Sequence, residues 1–185
     1  IIIVPIFAEY EQVEIINNLV LVPIPNYKRS RLMDRQALGF LTRKLGQIWF
    51  GESIWNDQDR ELWLNFGVPA FLGLRFFQYK YGLNSGIFDT VDWLNPRYKD
   101  HFFEEMVNSI SPKMSYPIIS SFRKNPDSQS YLKTVSYKTA MVISMLEYNL
   151  GENLFKKGLL EFYLKNNNRV SGIKEFKKAF EKFSS

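Results

Sequence analysis

Residues 43–67 read RKLGQIWFGESIWNDQDRELWLNFG, and two helices joined by a loop can be traced outward from them. Leu38, Leu41, Leu45 and Ile48 or Trp49 recur at helical spacing, which predicts a helix that buries one face. Ser30 or Asp34 is its expected cap. Arg43 and Gln47 fall four apart and so share one stripe of that helix. Residues 51–58 read as a loop. Asp59 is expected to open a second helix running to about Tyr81, with Leu62, Phe66, Phe71, Leu74, Phe77 and Tyr81 on its buried face. Pro69 inside it predicts a kink or a restart, and Gly82 suits its C-terminus.

Short sequence blocks stand at defined distances around these helices. Trp49-Phe50-Gly51 follows the first helix, and Leu62-Trp63-Leu64-Asn65 with Gly67 opens the second. Together they resemble the aminopeptidase N and leukotriene hydrolase family of zinc metallopeptidases (gluzincins), in which H-E-x-x-H is followed by W-F-G and then L-W-L-N-E-G. Further matches lie along the chain. Val135-Ser136-Tyr137-Lys138-Thr139-Ala140 resembles the family's Y-E-K-G-A segment, Leu150-Gly151-Glu152-Asn153-Leu154-Phe155 its L-G-E-x-x-F, and Ala8-Glu9-Tyr10-Glu11-Gln12, more weakly, its G-A-M-E-N. The resemblance covers about residues 1–183.

In that family two His side chains four apart hold a zinc ion, the Glu between them is the general base for the attacking water, and a later Glu is the third ligand. Laid over this chain without a gap, the His positions fall on Arg43 and Gln47, the base on Lys44 and the third ligand on Phe66. Protonated Arg and Lys cannot ligate zinc, Phe has no donor atom, and Gln is a poor ligand alone. The chain has one His and no Cys, so no site of the usual nitrogen and sulfur type can replace the lost one. His101, in DHFFEE beside Glu104 and Glu105, reads as a surface residue. The resemblance thus implies vestigial positions at Arg43, Lys44, Gln47 and Phe66, and an absence of zinc. Tyr137 stands where active members have a Tyr that stabilises the oxyanion. Glu11 stands near the Glu that grips a substrate's amino terminus. Both are possible retained cleft residues, with Tyr137 expected to point into the old cleft.

The fold implied is α+β and predominantly helical: a thermolysin-like (zincin-like) catalytic domain with a truncated β lobe. One aminopeptidase-like domain is expected over 1–185, with a remnant of the sheet lobe at 1–30 and a helical lobe at 31–185. The chain does not begin with Met, which predicts a fragment of a larger protein. Residues 1–7 and 19–23 are apolar runs broken by proline and read as strands. Helices are expected over 97–109, 131–150, 152–165 and 171–183, with 111–130 irregular because of Pro112, Pro117 and Pro126 but with room for one short helix. The last helix puts Ile173, Phe176, Phe180 and Phe183 on one stripe and lysines on the others. It reads as docked on the core, with a membrane-surface helix as the alternative.

Composition narrows the function classes. An apolar fraction of 45% with 16% aromatics argues for a packed core and against disorder. A chain of this length buries roughly 70% of its unfolded surface, so it needs no disulfides. No apolar run reaches the roughly 20 residues of a membrane span. The net charge of +5 is dispersed. Its densest run, Lys28, Arg29, Arg31 and Arg35 followed by Arg43 and Lys44, carries no nucleic-acid motif, so a solvated surface is expected rather than nucleic-acid binding. Nothing in the composition sets a compartment.

These residues lead to a catalytically inactive aminopeptidase-like domain acting as scaffold or binding module for a protein or peptide. The alternative is a metallopeptidase-family hydrolase with a non-standard site, for which Glu52, Asp57, Asp59 and Glu61 are the available carboxylates. A different chemistry through Tyr137, Lys44 and Glu11 lacks a nucleophile–base pair. Within the former metal position, Arg43 is expected to pair with Glu11 or Glu61, because a buried cation needs a partner, and Lys44 is expected to face solvent.

Overall fold

The computed structural model describes residues 2–6, 14–16, 19–23, 35–84, 86, 97–109, 116–124 and 127–183. Glu11 with its 8–12 segment, the caps proposed at Ser30 or Asp34, and Lys28, Arg29 and Arg31 lie outside them, as do the side chains of Arg35, His101 and Glu105. Strands β1 (Ile2–Ile6), β2 (Glu14–Ile16) and β3 (Leu19–Pro23) form a sheet in the order β1-β3-β2. β3 runs parallel to β1 and antiparallel to β2, with Val20 opposite both Ile3 and Ile15. Among the described residues six α-helices follow: α1 (Arg35–Gln47), α2 (Leu62–Tyr81), α3 (Tyr98–Ser109), α4 (Ser128–Leu150), α5 (Glu152–Asn166) and α6 (Ile173–Glu181). The architecture is α+β and predominantly helical, as the resemblance implies. Among the described residues no helix is long and apolar enough to cross a membrane.

Alternation along β3 sends Val20 and Val22 inward, where they meet Leu41, Leu45 and Ile48 of α1 and the turn after it. That contact makes Ile48, not Trp49, the continuation of the buried stripe: Ile48 is buried and Trp49 is 41% exposed. The larger core lies between α2, α4, α5 and α6. Phe71 meets Phe155 edge-on at 5.3 Å, Phe155 meets Phe180 at 5.4 Å, and Phe176 lies against Phe162 at 5.2 Å. α6 is docked through Phe176, Ala179 and Phe180, all buried.

The helix expected from Asp59 begins at Leu62 instead. Asp59 is drawn into a tertiary contact: its Oδ1 accepts from Ser121 Oγ and from Arg123 N, each at 3.0 Å, and its carbonyl accepts from Phe122 N at 2.8 Å. Those donors hold its carboxyl below the ordinary aspartate range. α4 in turn begins three residues before the expected Tyr131, because Asp127 caps it by accepting from Gln129 N and Ser130 N. Gly82 and Gly151 end α2 and α4 at φ values of 97° and 80°, a region that disfavours side chains.

Candidate functional site

The positions that the resemblance assigns to metal ligands lie where α1 and α2 cross in opposite directions. Small residues let the helices approach: a Cβ on Gly46 would meet Pro69 at 3.1 Å, and one on Gly73 would meet Arg43 Cβ at 3.3 Å. α2 runs unbroken through Pro69. Proline has no N–H, so the carbonyl of Asn65, four residues earlier, loses its intrahelical donor. Gln47 replaces it, its Nε2 donating to Asn65 O at 3.0 Å. The residue in the second His position is therefore a helix-to-helix joint that completes a proline-interrupted ladder. Gln47→Ala is expected to lower unfolding free energy by about 1–2 kcal/mol, the lower part of the range for an orphaned polar group because the site is only part-buried. In a Pro69→Ala background the same substitution should be close to neutral, which a double-mutant cycle of thermal melts measures.

Arg43 takes a different direction from the one its charge suggests. Its guanidinium carbon stands 5.1 Å from the ring centre of Tyr137 and 5.9 Å from that of Phe102. These rings meet each other edge-on at 4.8 Å. The expected ion pair with Glu61 does not form, since Glu61 Oε2 accepts from Trp63 Nε1 and its Oε1 faces Gly172, where an added Cβ would meet it at 2.9 Å. The other expected partner, Glu11, is not among the described residues. Arg43 Nε is buried without a hydrogen-bond partner, and ring faces, which attract cations, surround the group instead. Lys44 is half-buried rather than turned to solvent. Burial first, and the Arg43 charge second, hold its ammonium below the ordinary lysine range.

Phe66 packs part-buried against the helical core. The next residue, Gly67, abuts α4 at Thr139, whose Cβ and Cγ2 occupy the space a side chain at 67 would need. Tyr137, two residues before Thr139, faces α1 from α4, its ring lying against Arg43. The structure brings Arg43 and Tyr137 together, with Gln47 on the neighbouring turn of α1.

The carboxylates considered for a substitute site are tied to separate partners. Asp57 Oδ1 accepts from Asp59 N at 2.8 Å, Asp59 binds the 121–123 turn, Glu61 holds Trp63, and Glu52 is exposed. Among the described residues no group of three or more His, Cys, Asp or Glu is arranged to hold a metal ion. Arg43, Gln47 and Phe66 present a ring-stacked cation, an amide engaged as donor and a hydrocarbon. That set does not fit zinc, which takes thiolate, imidazole or carboxylate donors.

A concavity beside these positions was not visible in the sequence. A cavity of about 520 Å³ opens between α2, α3 and α4 and the start of α5, lined among others by Leu74, Arg75, Phe102, Met141, Glu147 and Glu152. Its polar residues come from separate helices at unrelated spacings, so no motif joins them. The one local signal was the pair of acids flanking Gly151.

The blocks that carry the resemblance are placed as structure places a shared framework. Trp63 is buried at the start of α2, Phe50 beneath the turn after α1, and Gly151 between α4 and α5. The family model described as "Peptidase family M1 domain" matches residues 11–185. That match spans nearly the whole chain, and the chain belongs to the M1 peptidase family.

Proposed function

We propose that this M1-family domain works without zinc and without peptide hydrolysis, as a scaffold or binding module for a protein or peptide. The observation that carries the reading is the engagement of Gln47. In place of a metal-ligating imidazole it spans α1 and α2 and satisfies the carbonyl that Pro69 frees, at 3.0 Å. Arg43, lying on Tyr137, and Phe66, packed into the core, support it: with Gln47, three of the four vestigial positions have a structural use. Lys44, partly desolvated beside Arg43, occupies the position that the resemblance assigns to the general base. Tyr137 and, by resemblance, Glu11 are then residues of the cleft without a reaction to serve.

Elemental analysis of the purified chain after zinc incubation and desalting tests the reading. The expected result is far less than one equivalent of zinc, and no cleavage of aminoacyl anilides. One equivalent of tightly held zinc, or cleavage abolished by a chelator, would instead favour a hydrolase with a non-standard site. The quadruple change Arg43→His, Lys44→Glu, Gln47→His and Phe66→Glu is expected to gain zinc binding if the helix crossing still has the geometry of a metal site.

A further inference from the structure

The cavity between α2, α3 and α4 adjoins the vestigial metal position at Phe102, which also meets Arg43, and extends away from it toward Glu147. Glu147 lies on α4 ten residues after Tyr137, roughly 15 Å along the helix axis. Its volume, about 520 Å³, is within the range of small-ligand pockets. Leu74 and Phe102, both buried, and Met141 make an apolar floor. Phe103 and Tyr148, 49% and 89% exposed, stand at the rim.

Charge is unevenly shared along the wall. Arg75 is committed in three directions: Nε to Glu147 Oε1 at 3.2 Å, Nη2 to Glu152 Oε2 at 3.8 Å, and Nη1 to Gln78 Oε1 at 3.1 Å. Glu152 has a further cation of its own in Lys156 at 2.6 Å. Across the cavity, Asp100 is opposed by Arg97 at 3.7 Å. Glu147 shares Arg75 with Glu152, feels the Lys156 charge more weakly, and has a side chain only 14% exposed. Burial, the largest influence on it, outweighs the pull of Arg75 and raises its carboxyl above the ordinary glutamate range. Lys99, the remaining cation of the lining, is exposed on α3, where water already solvates it. The wall therefore has one desolvated carboxylate without a full counter-charge, next to apolar surface and below two accessible rings.

We propose that this cavity binds a basic side chain of a peptide segment, its ammonium or guanidinium anchored by Glu147, its alkyl stem on Phe102 and Met141, and its neighbouring residue against Phe103 and Tyr148. An ammonium there would complete the coordination of Glu147 and gain from the ring faces at the rim. The site does not depend on whether positions 43–66 hold a metal, so the zinc analysis and the test below can fail independently.

The test is titration of the intact chain, by calorimetry or by chemical shifts, with N-acetyl-phenylalanyl-lysine amide. The same dipeptide with its lysine acetylated, and the glutamate dipeptide, are the comparisons. The lysine peptide is expected to saturate, and neutralising its amine to weaken binding roughly tenfold or more, the scale of one charge-assisted hydrogen bond. Glu147→Gln should weaken it by a similar factor, while Lys99→Ala should leave it unchanged or tighter. Phe103→Ala, at the exposed rim, is expected to weaken binding severalfold with an unaltered melt and serves if the Glu147 variant does not fold. Tighter binding of the glutamate peptide would overturn the proposal in favour of an anion site on Arg75 and Lys99. Equal binding of the acetylated peptide, indifference to Glu147→Gln or Phe103→Ala in folded protein, or no saturation by any probe would also overturn it.

Discussion

Trp63→Ala is expected to lower unfolding free energy by about 3–5 kcal/mol, the range for removing a buried large aromatic. At roughly 2–4 °C per kcal/mol for a chain of this size, the melting midpoint should fall on the order of 10 °C. Trp63 is 3% exposed. Its ring meets Phe176 edge-on at 5.1 Å and an 84° angle, and Phe176 continues to Phe162 and Phe180. The indole N–H also donates to Glu61 Oε2. Removing the indole therefore opens a cavity under α6 and strips Glu61 of a donor. Trp63→Phe separates the contributions. It keeps a ring for Phe176 and loses the hydrogen bond and part of the volume, so it should cost less than half as much. Equal losses for the two variants would mean that the hydrogen bond, not the packing, carries the effect. Denaturant midpoints measured at constant slope decide it.

Gly67→Ala is the second large effect, and its sign is opposite to that expected from helix propensity alone. In an isolated helix alanine would gain about 1 kcal/mol over glycine. Here the new methyl would fall on Thr139 of α4, within contact of Cβ and Cγ2 and 2.8 Å from Oγ1. Thr139 is buried, and its Oγ1 has no hydrogen-bond partner. The nearest atom is the Cβ itself, which no rotamer can move aside, so the helices must separate. Overpacking of this kind costs about 1–3 kcal/mol, after the propensity gain has been absorbed. Thr139→Ala in the Gly67→Ala background should recover part of the loss, because it removes Cγ2 and Oγ1 but leaves Cβ. Thr139→Gly removes all of the clash and adds about 1 kcal/mol of helix penalty in return. If Gly67→Ala melts at or above the parent temperature, the close approach of α2 and α4 is wrong.

Much of the fold was legible in residue spacing, because burying one side of a helix or strand leaves a periodic trace in the chain itself. Leu38, Leu41 and Leu45, the Phe71, Leu74 and Phe77 stripe, and Phe176 with Phe180 all marked helices that exist. Gly82 and Gly151 marked helix ends, since each needs a backbone region that side chains disfavour. The framework around Trp49, Trp63 and Gly151 carried the family, which the match over residues 11–185 establishes. The sequence also left positions 43, 44, 47 and 66 without imidazole or carboxylate, since residue identity alone decides which donor atoms exist.

What those positions do instead depended on the tertiary structure. A charge at Arg43 suggested an acidic partner, yet aromatic faces from α3 and α4 surround it. Pro69 suggested a kink or a restart; α2 continues without a restart, an amide from α1 replacing the missing donor. Asp59 suggested a helix start, yet the turn at 121–123 claims its carboxylate. Glu147 and Arg75, separated by 72 positions in the numbering, line one cavity wall. Periodicity records only whether a side chain avoids water. The partner that each polar atom finds is set by inter-helix distances, which contacts such as Gly67 on Thr139 and Gly46 on Pro69 fix between residues far apart in the chain.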